Sequence, residues 1–225
     1  MSASVSIIVP TLNESRSIEI LLQQLQFLRE DGIEVIVSDG GSIDDTCKKA
    51  KKLCDLLIIG EASRSLQMNL GAKNSRKSWL WFVHADTIFL KSPRDIIRSF
   101  EKADRSWGFC QICLDGKGWY FRVIEWMMNK RSKASQIGTG DQGIFIHRKK
   151  FNELNGFAPI PLMEDIEICK RLKSIESPRI LDKFLQTSAR RWEKKGVLRT
   201  IFLMWALRLG FFFRISPKKL SRFYK

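Results

Sequence analysis

The sequence has no apolar stretch approaching the ~20 residues that a membrane-spanning helix requires. The longest apolar run of its C-terminal part is Ile201–Leu207. A cysteine framework is missing too: the five cysteines, an odd number, are scattered, and no secretory signal opens the chain. A reducing cytosol is therefore the expected compartment. Cys110-Gln-Ile-Cys113 has redox or zinc spacing but lies in Phe109–Leu114, which reads as a strand. Residues three apart on a strand point to opposite faces, which excludes a shared metal or redox pair. Internal repeats and low-complexity linkers are also absent.

Acidic residues are the scarce charge. Against 39 Lys and Arg there are 24 Asp and Glu, a formal net charge of +15 and a pI near 9.8. Such an excess implies an acidic partner: nucleic acid, anionic lipid or a phosphorylated small molecule. The shortage is local, because residues 183–225 carry twelve Lys and Arg but one acid, Glu193. The body before it is close to balanced. With 225 residues and 44% hydrophobic content, the chain can bury one sizeable core. We therefore expect a catalytic domain over 1–192 and a basic amphipathic segment over 193–225.

What the sequence does have is alternation of strand and helix. Val5–Val9 is a short β-branched run stopped by Pro10 and reads as a buried strand. Ile18, Leu21, Leu22, Leu25 and Leu28 recur at helical spacing. Glu34–Ser38 reads as a second strand closed by Asp39-Gly-Gly-Ser42, and Asp44-Asp-Thr46 opens a helix with acids where its dipole favours them. A strand over Leu56–Ile59, a helix over about Ser65–Lys77 and a strand over Trp79–Val83 follow. This order predicts an α/β fold with a doubly wound, mostly parallel sheet flanked by helices. Ligands of such sheets bind beyond the carboxyl ends of the strands, where His84-Ala-Asp86 falls.

After residue 106 the pattern changes. Trp107–Leu114 and Gly143–His147 read as strands. Between them, Trp119–Lys130 has helical spacing, with Arg122, Glu125 and Asn129 on one face and Trp119, Val123, Trp126 and Met127 elsewhere. That spacing predicts an amphipathic helix whose aromatic side meets lipid or a bulky apolar ligand.

Polar residues punctuate these strand ends in order: Val9-Pro-Thr-Leu-Asn-Glu14, Asp39-Gly-Gly-Ser-Ile-Asp-Asp-Thr46, His84-Ala-Asp86, Gly140-Asp-Gln-Gly143 and Met163-Glu-Asp165. As a set they resemble the family 2 glycosyltransferases, which have the GT-A fold. The resemblance runs from Val5 to about Trp192 and is greatest to small bacterial members with a HAD triplet in place of DxD. It implies an inverting enzyme that moves a sugar from a nucleoside diphosphate sugar, a UDP-sugar on this pattern, to an acceptor hydroxyl. By the same resemblance, Pro10, Thr11, Glu14 and Asp39 line the nucleotide pocket, with Arg64 and Ala85 beside it. Asp39, an acceptor-only carboxylate, suits an N–H of a pyrimidine ring. Asp39-Gly-Gly-Ser42 is equally good turn chemistry in its own right.

A diphosphate leaving group calls for a hard divalent cation with oxygen ligands. The resemblance gives that role to Asp86, with His84 at the first motif position, where imidazole suits Mn²⁺ better than Mg²⁺. It makes Asp165 the general base and sets Asp141, Gln142 and Glu164 near the donor sugar or acceptor. Acids in the first turn of a helix also complement its dipole without any catalysis. Thr187-Ser-Ala-Arg-Arg-Trp192 partly matches the QxxRW motif of processive relatives, which adds Arg191 and Trp192 as candidates. Ser188 stands where that motif has Gln, and the missing spanning helices argue against a polymerase.

The tail mixes Ile201, Phe202, Leu203, Trp205, Leu207 and Phe211–Phe213 with Arg199 and Arg208, and Lys218, Lys219, Arg222 and Lys225 follow. Such a segment fits an interfacial helix on an anionic leaflet, at about 1 kcal/mol per basic residue. It can also pack on the catalytic domain. The expectation is a protein peripheral on the cytoplasmic face of a membrane, with an acceptor that can be lipid-linked. A nucleic-acid-binding protein would explain the pI, but no known module of that class is present. A nucleotidyltransferase would place a Gly-rich basic loop where Pro-Thr-Leu-Asn-Glu stands. A catalytically inactive scaffold would keep the fold without the chemistry.

Overall fold

The computed structural model describes residues 4–102 and 104–224, apart from the side chains at 183, 184, 191 and 194. The first half alternates as the sequence suggests: β1 Val5–Thr11, α1 Ile18–Glu30, β2 Glu34–Asp39, α2 Thr46–Ala50, β3 Leu56–Ile59, α3 Arg64–Asn74 and β4 Trp79–Phe82. A two-residue β5, Ile88–Phe89, and α4, Pro93–Glu101, lead into β6 Trp107–Leu114 and the long α5, Trp119–Ser135. Then come β7 Phe145–His147, α6 Arg148–Glu153, α7 Glu164–Lys173 and β8 Arg179–Thr187. The chain closes with α8 Arg190–Lys195, α9 Val197–Phe212 and α10 Pro217–Tyr224.

All eight strands join one mixed sheet in the order β3-β2-β1-β4-β7-β6-β8-β5. Strands β3, β2, β1 and β4 are parallel, β7 is antiparallel to both its neighbours, and β6 is parallel to β8. Successive residues of β1 serve opposite faces, as the pleat demands. Ile7 packs with Leu21, Leu25 and Val35 under α1, whereas Ile8 packs with Met68, Leu80 and Ile168 under α3 and α7. The five apolar residues at helical spacing in α1 are its buried residues. Because β1, β2 and β4 run the same way, Thr11, Asp39 and the chain after Phe82 emerge together at one edge.

Strand β8 escapes a period-two reading because its apolar residues come in pairs, Ile180-Leu181 and Phe184-Leu185. The pairing explains the pattern: the β6–β8 register slips between Cys110 and Ile112. A bulge resets which face each residue meets.

Helix α5 is amphipathic, but its orientation reverses the usual one. Glu125, Asn129 and Ser132 are buried with Phe121 and Ile124, while Trp119 and Trp126 are 78% and 59% exposed. The cause lies in β6. Strand β7 pairs only with Trp107 and Gly108, so beyond them that edge of β6 lacks a neighbouring strand. Buried backbone groups must still find partners. Gln142 Nε2 donates to the Cys110 carbonyl (3.1 Å), and the Asn129 amide both accepts from the Ile112 N–H (2.9 Å) and donates to its carbonyl (2.8 Å). The Leu114 N–H donates to Glu125 (3.3 Å), and Arg122 donates to the Leu114 carbonyl. The polar stripe of α5 thus stands in for a strand. Replacing Asn129 with Leu would leave both Ile112 groups unpaired, at about 1–3 kcal/mol each. We expect a fall in Tm of several degrees by calorimetry, with the far-UV spectrum unchanged.

Candidate active site

Three strand ends build the floor. Asp39, fully buried at the end of β2, accepts from Thr11 Oγ1 (2.9 Å), Gly41 N–H (2.9 Å), Ser42 N–H (2.7 Å) and Ser42 Oγ (2.6 Å). Burial works to raise this carboxyl, but the bonds from Ser42 and Thr11 outweigh it and hold it below the ordinary value. Gln67, buried on α3, ties β1 to β2 by donating to the Thr11 and Ser38 carbonyls (2.7 and 2.8 Å). Pro10 and Thr11 lie in register with Ser38 and Asp39. Glu14 accepts from Ser17 Oγ (2.8 Å) and lies 3.9 Å from Arg190.

Beyond β4, Ala85 is buried, and His84 and Asp86 are half-buried. Burial, then the charge of Glu14, pushes the Asp86 carboxyl up. Burial and the Arg64 guanidinium push the His84 imidazole down to about 3, so it is neutral at pH 7. Among the described residues its buried Nε2 has no hydrogen-bond partner. That atom abuts Gly140: a Cβ there would sit 2.6 Å from His84 Nε2 and 3.8 Å from Asp165 Oδ2. Glycine is needed for this approach. Asp165, in the first turn of α7, accepts from the Gly140 N–H through Oδ2 (2.8 Å) and from the Ile166 N–H through Oδ1 (2.7 Å). The imidazole and the carboxylate therefore meet at one glycine.

Asp86, His84, Asp141, Glu164, Asp165, Arg64 and Trp192 all line a single cavity of about 890 Å³. Glu164 lies 3.6 Å from Arg64. Burial, then the adjacent Asp165 charge, raises its carboxyl to about 7 against the pull of Arg64. Asp141 is raised by burial, with Thr139 and Arg131 pulling it back. Pro10, Thr11, Glu14 and Asp39 are not part of the cavity wall and form the neighbouring strand-end floor. Gln142 is turned away from the cavity: fully buried, it is occupied by Ser132, Thr139 and Cys110. The side chain of Arg191 lies outside the described residues.

Among the described residues, no three His, Cys, Asp or Glu side chains gather tightly enough to cage a metal ion. Asp86 and the unpartnered, neutral His84 are a sparse donor set. They fit a cation that completes its shell with phosphate oxygens and water, not a structural cage.

A family model described as glycosyl transferase family 2 matches residues 6–154. The chain belongs to glycosyl transferase family 2. No curated protein matches it. Among solved structures it resembles S. aureus TarS 1–349 in complex with UDP-GlcNAc, at 18% identity and a TM-score of 0.64, over 82% of this chain and 58% of that one. It also resembles the mannosyltransferase PcManGT from Pyrobaculum calidifontis in complex with GDP-Man and Mn²⁺, at 20% identity and a TM-score of 0.59, over 82% and 56%. A third is glucosyl-3-phosphoglycerate synthase from Mycobacterium tuberculosis in complex with Mn²⁺, UDP and phosphoglyceric acid, at 15% identity and a TM-score of 0.59, over 82% and 69%. The chain spans about 60% of the TarS 1–349 chain. These likenesses establish the GT-A fold. The family 2 match contains the Asp39 turn and His84–Asp86 and ends before Asp165.

Two residues of the family 2 cavity were not singled out as site residues from the sequence: Arg131 on α5 and Arg208 on α9. Each carried a signal. Arg208 is a single charge between Leu207 and Leu209, and Arg131 follows Ile124 and Met128 at helical spacing. A cation on an apolar stripe is rarely buried unless it is paired, so each of these arginines calls for a partner.

Proposed function

We propose that this family 2 glycosyltransferase moves a sugar from a UDP-sugar to an acceptor hydroxyl with inversion, using a divalent cation, at the surface of an anionic membrane. The observation that carries the reading is that Asp86, after β4, and Asp165, opening α7, line one cavity. On this reading one carboxylate serves the leaving group and the other the nucleophile. Asp86 and His84 would hold the cation, which neutralises the charge of the departing diphosphate. Asp165 takes the acceptor proton as the hydroxyl attacks the anomeric carbon from the face opposite the leaving group. Its bonds to Gly140 and Ile166 fix the carboxylate while leaving lone pairs free. Asp39 orders the turn under the nucleotide, and contact with a base requires only that Ser42 Oγ rotate away from it.

The exposed aromatics Trp119 and Trp126 of α5 and Phe202, Trp205, Phe212 and Phe213 of α9 support a membrane surface site, with the basic tail beside them. Among the described residues, no helix is long and apolar enough to cross a membrane. Calorimetric titration with UDP, GDP, CDP and ADP, each with and without Mn²⁺, tests the donor. Manganese-dependent binding of UDP alone is the expected result, and a folded protein that binds none of the four would sink the proposal.

Two further results are expected. Gly140→Ala would put a Cβ 2.6 Å from His84 Nε2 but 3.8 Å from Asp165 Oδ2, so the imidazole must move while the carboxylate can stay; a displacement of about 1 Å at a positioned group costs about 100-fold in turnover. Manganese-dependent UDP affinity should fall with it, because His84 is a cation ligand on this reading. Glu164 has a second, pH-linked effect. Its folded carboxyl sits near 7, above the ordinary 4.5, so the folded state holds the proton more tightly than the unfolded chain. Its stabilising effect is complete below about 4.5 and is lost as pH rises through 7. Tm should therefore decline across that window, and Glu164→Gln, with Asp165 and Arg64 unchanged, should flatten the decline.

A further inference from the structure

The cavity is larger than a sugar needs and has two chemically distinct ends. One end holds His84, Asp86 and Asp165. The other runs outward between α5 and α9, walled by Ile124, Met127, Phe202, Trp205 and Phe212. Several of these walls reach the surface, where Phe202 and Phe212 are each 70% exposed. The space is therefore a trough, polar at its inner end and open at its apolar end.

Arg131 and Arg208 both line this cavity. Among the described residues, the buried Nε of each has no hydrogen-bond partner. Their positive charges act on one another, and both face Asp141 and Asp165. Among the described residues, neither arginine forms an ion pair with those acids. Burial, then the charge of Arg208, pulls Arg131 down to about 10, still protonated at pH 7. Arg131 also donates to Ser132 Oγ (3.1 Å). With the charges of Asp141 and Asp165 acting only from beyond ion-pair distance and each Nε open, the two half-buried guanidinium groups have donors to spare for an anion. A guanidinium fork offers a planar, bidentate geometry for phosphate oxygens.

We propose that Arg131 and Arg208 form the head-group site of the acceptor, and that the acceptor is a long-chain lipid carrying a phosphate, its chain lying in the trough between α5 and α9. This rests on the glycosyltransferase reading for the word acceptor, though the binding site itself does not. The geometry matches charge to charge at the inner end and hydrocarbon to hydrocarbon at the outer one. It also holds the head group near Asp165, so a hydroxyl borne on that head group, the acceptor of the proposed transfer, is positioned at the base while the phosphate stays on the arginines. The exposed aromatics then continue the trough into a bilayer, from which the lipid enters without crossing water.

The test uses the full chain and three probes: dodecyl phosphate, inorganic phosphate and the uncharged dodecyl maltoside, each titrated calorimetrically and followed by tryptophan fluorescence, since Trp192 and Trp205 line the cavity. Dodecyl phosphate should bind at least about 10-fold more tightly than either of the others, as both a charge-assisted contact and apolar burial contribute. Arg131→Gln and Arg208→Gln should each weaken it by about 10-fold or more. Because they lie on different helices, misfolding of one variant leaves the other to decide. Equal affinity for inorganic phosphate would show an anion site without a lipid, and equal affinity for the maltoside an apolar trough without a head-group site. Either result overturns the proposal, as does wild-type dodecyl phosphate binding in a folded variant. A parallel UDP–Mn²⁺ titration of the wild type keeps the two readings apart: lipid binding without nucleotide binding overturns the acceptor role and the transferase reading, whereas nucleotide binding without lipid binding overturns this proposal alone.

Discussion

Asp165→Asn is expected to lower kcat by about 10³-fold, within the 10²–10⁴ range that a positioned general base contributes, while the affinity for UDP–Mn²⁺ stays within about twofold. The substitution is close to isosteric. Only one of the Gly140 and Ile166 N–H groups can still donate, to the amide oxygen that remains, because the other would face the amide NH2. The proton acceptor, however, is gone. The effect therefore belongs in kcat, and KM for the donor should barely move. Equal losses in kcat and donor affinity would contradict the assignment, because they would place Asp165 in donor binding.

Asp86→Ala is expected to abolish the manganese dependence of nucleotide binding and to reduce turnover by 10³-fold or more, about 4 kcal/mol or more of transition-state stabilisation. The environment explains why the change should be so large. Burial and the charge of Glu14 both raise the Asp86 carboxyl, so an anion is held here at a cost. A bound cation reverses that cost, and only a carboxylate at 86 gives it an anionic ligand from this motif. With alanine there, His84 remains as a single neutral donor whose Nε2 abuts Gly140. Calorimetry with and without Mn²⁺ on both proteins separates the outcomes. Manganese-dependent binding that persists in Asp86→Ala would remove the cation from this site.

The first half of the fold is legible in the sequence because its strands carry undivided β-branched runs and its helices a clear apolar stripe. Val5–Val9 and the five apolar residues of α1 are both where those rules put them. The second half is less legible for identifiable reasons. β8 carries a register shift that destroys its period, and β5 is two residues long, too short for any period to exist. In α5 the amphipathic pattern is correct, but its sense depends on an unpaired edge of β6 that no local rule reports.

The site follows the same division. His84, Asp86, Asp141, Glu164 and Asp165 are brought to one cavity, as polar residues at strand ends and helix starts suggest. Gln142 shares that motif context yet faces inward, because its amide bonds Ser132, Thr139 and, at the open edge of β6, the Cys110 carbonyl. Arg131 and Arg208 become visible as a pair only once α5 and α9 face each other, a tertiary fact with no sequence spacing to announce it.

The way α5 is fastened separates two things that most helices must satisfy with the same residues. Part of its anchorage is polar and points at the sheet, beside the core residues Phe121 and Ile124, so the exposed trough residue Met127 carries little of the load of folding. Met127 can be exchanged for a larger or smaller apolar group without loosening the joint made by Asn129 and Glu125. A lineage built on this plan can reshape the outer end of its cavity by drift on one helical face, while Asp86 and Asp165 stay where β4 and α7 hold them.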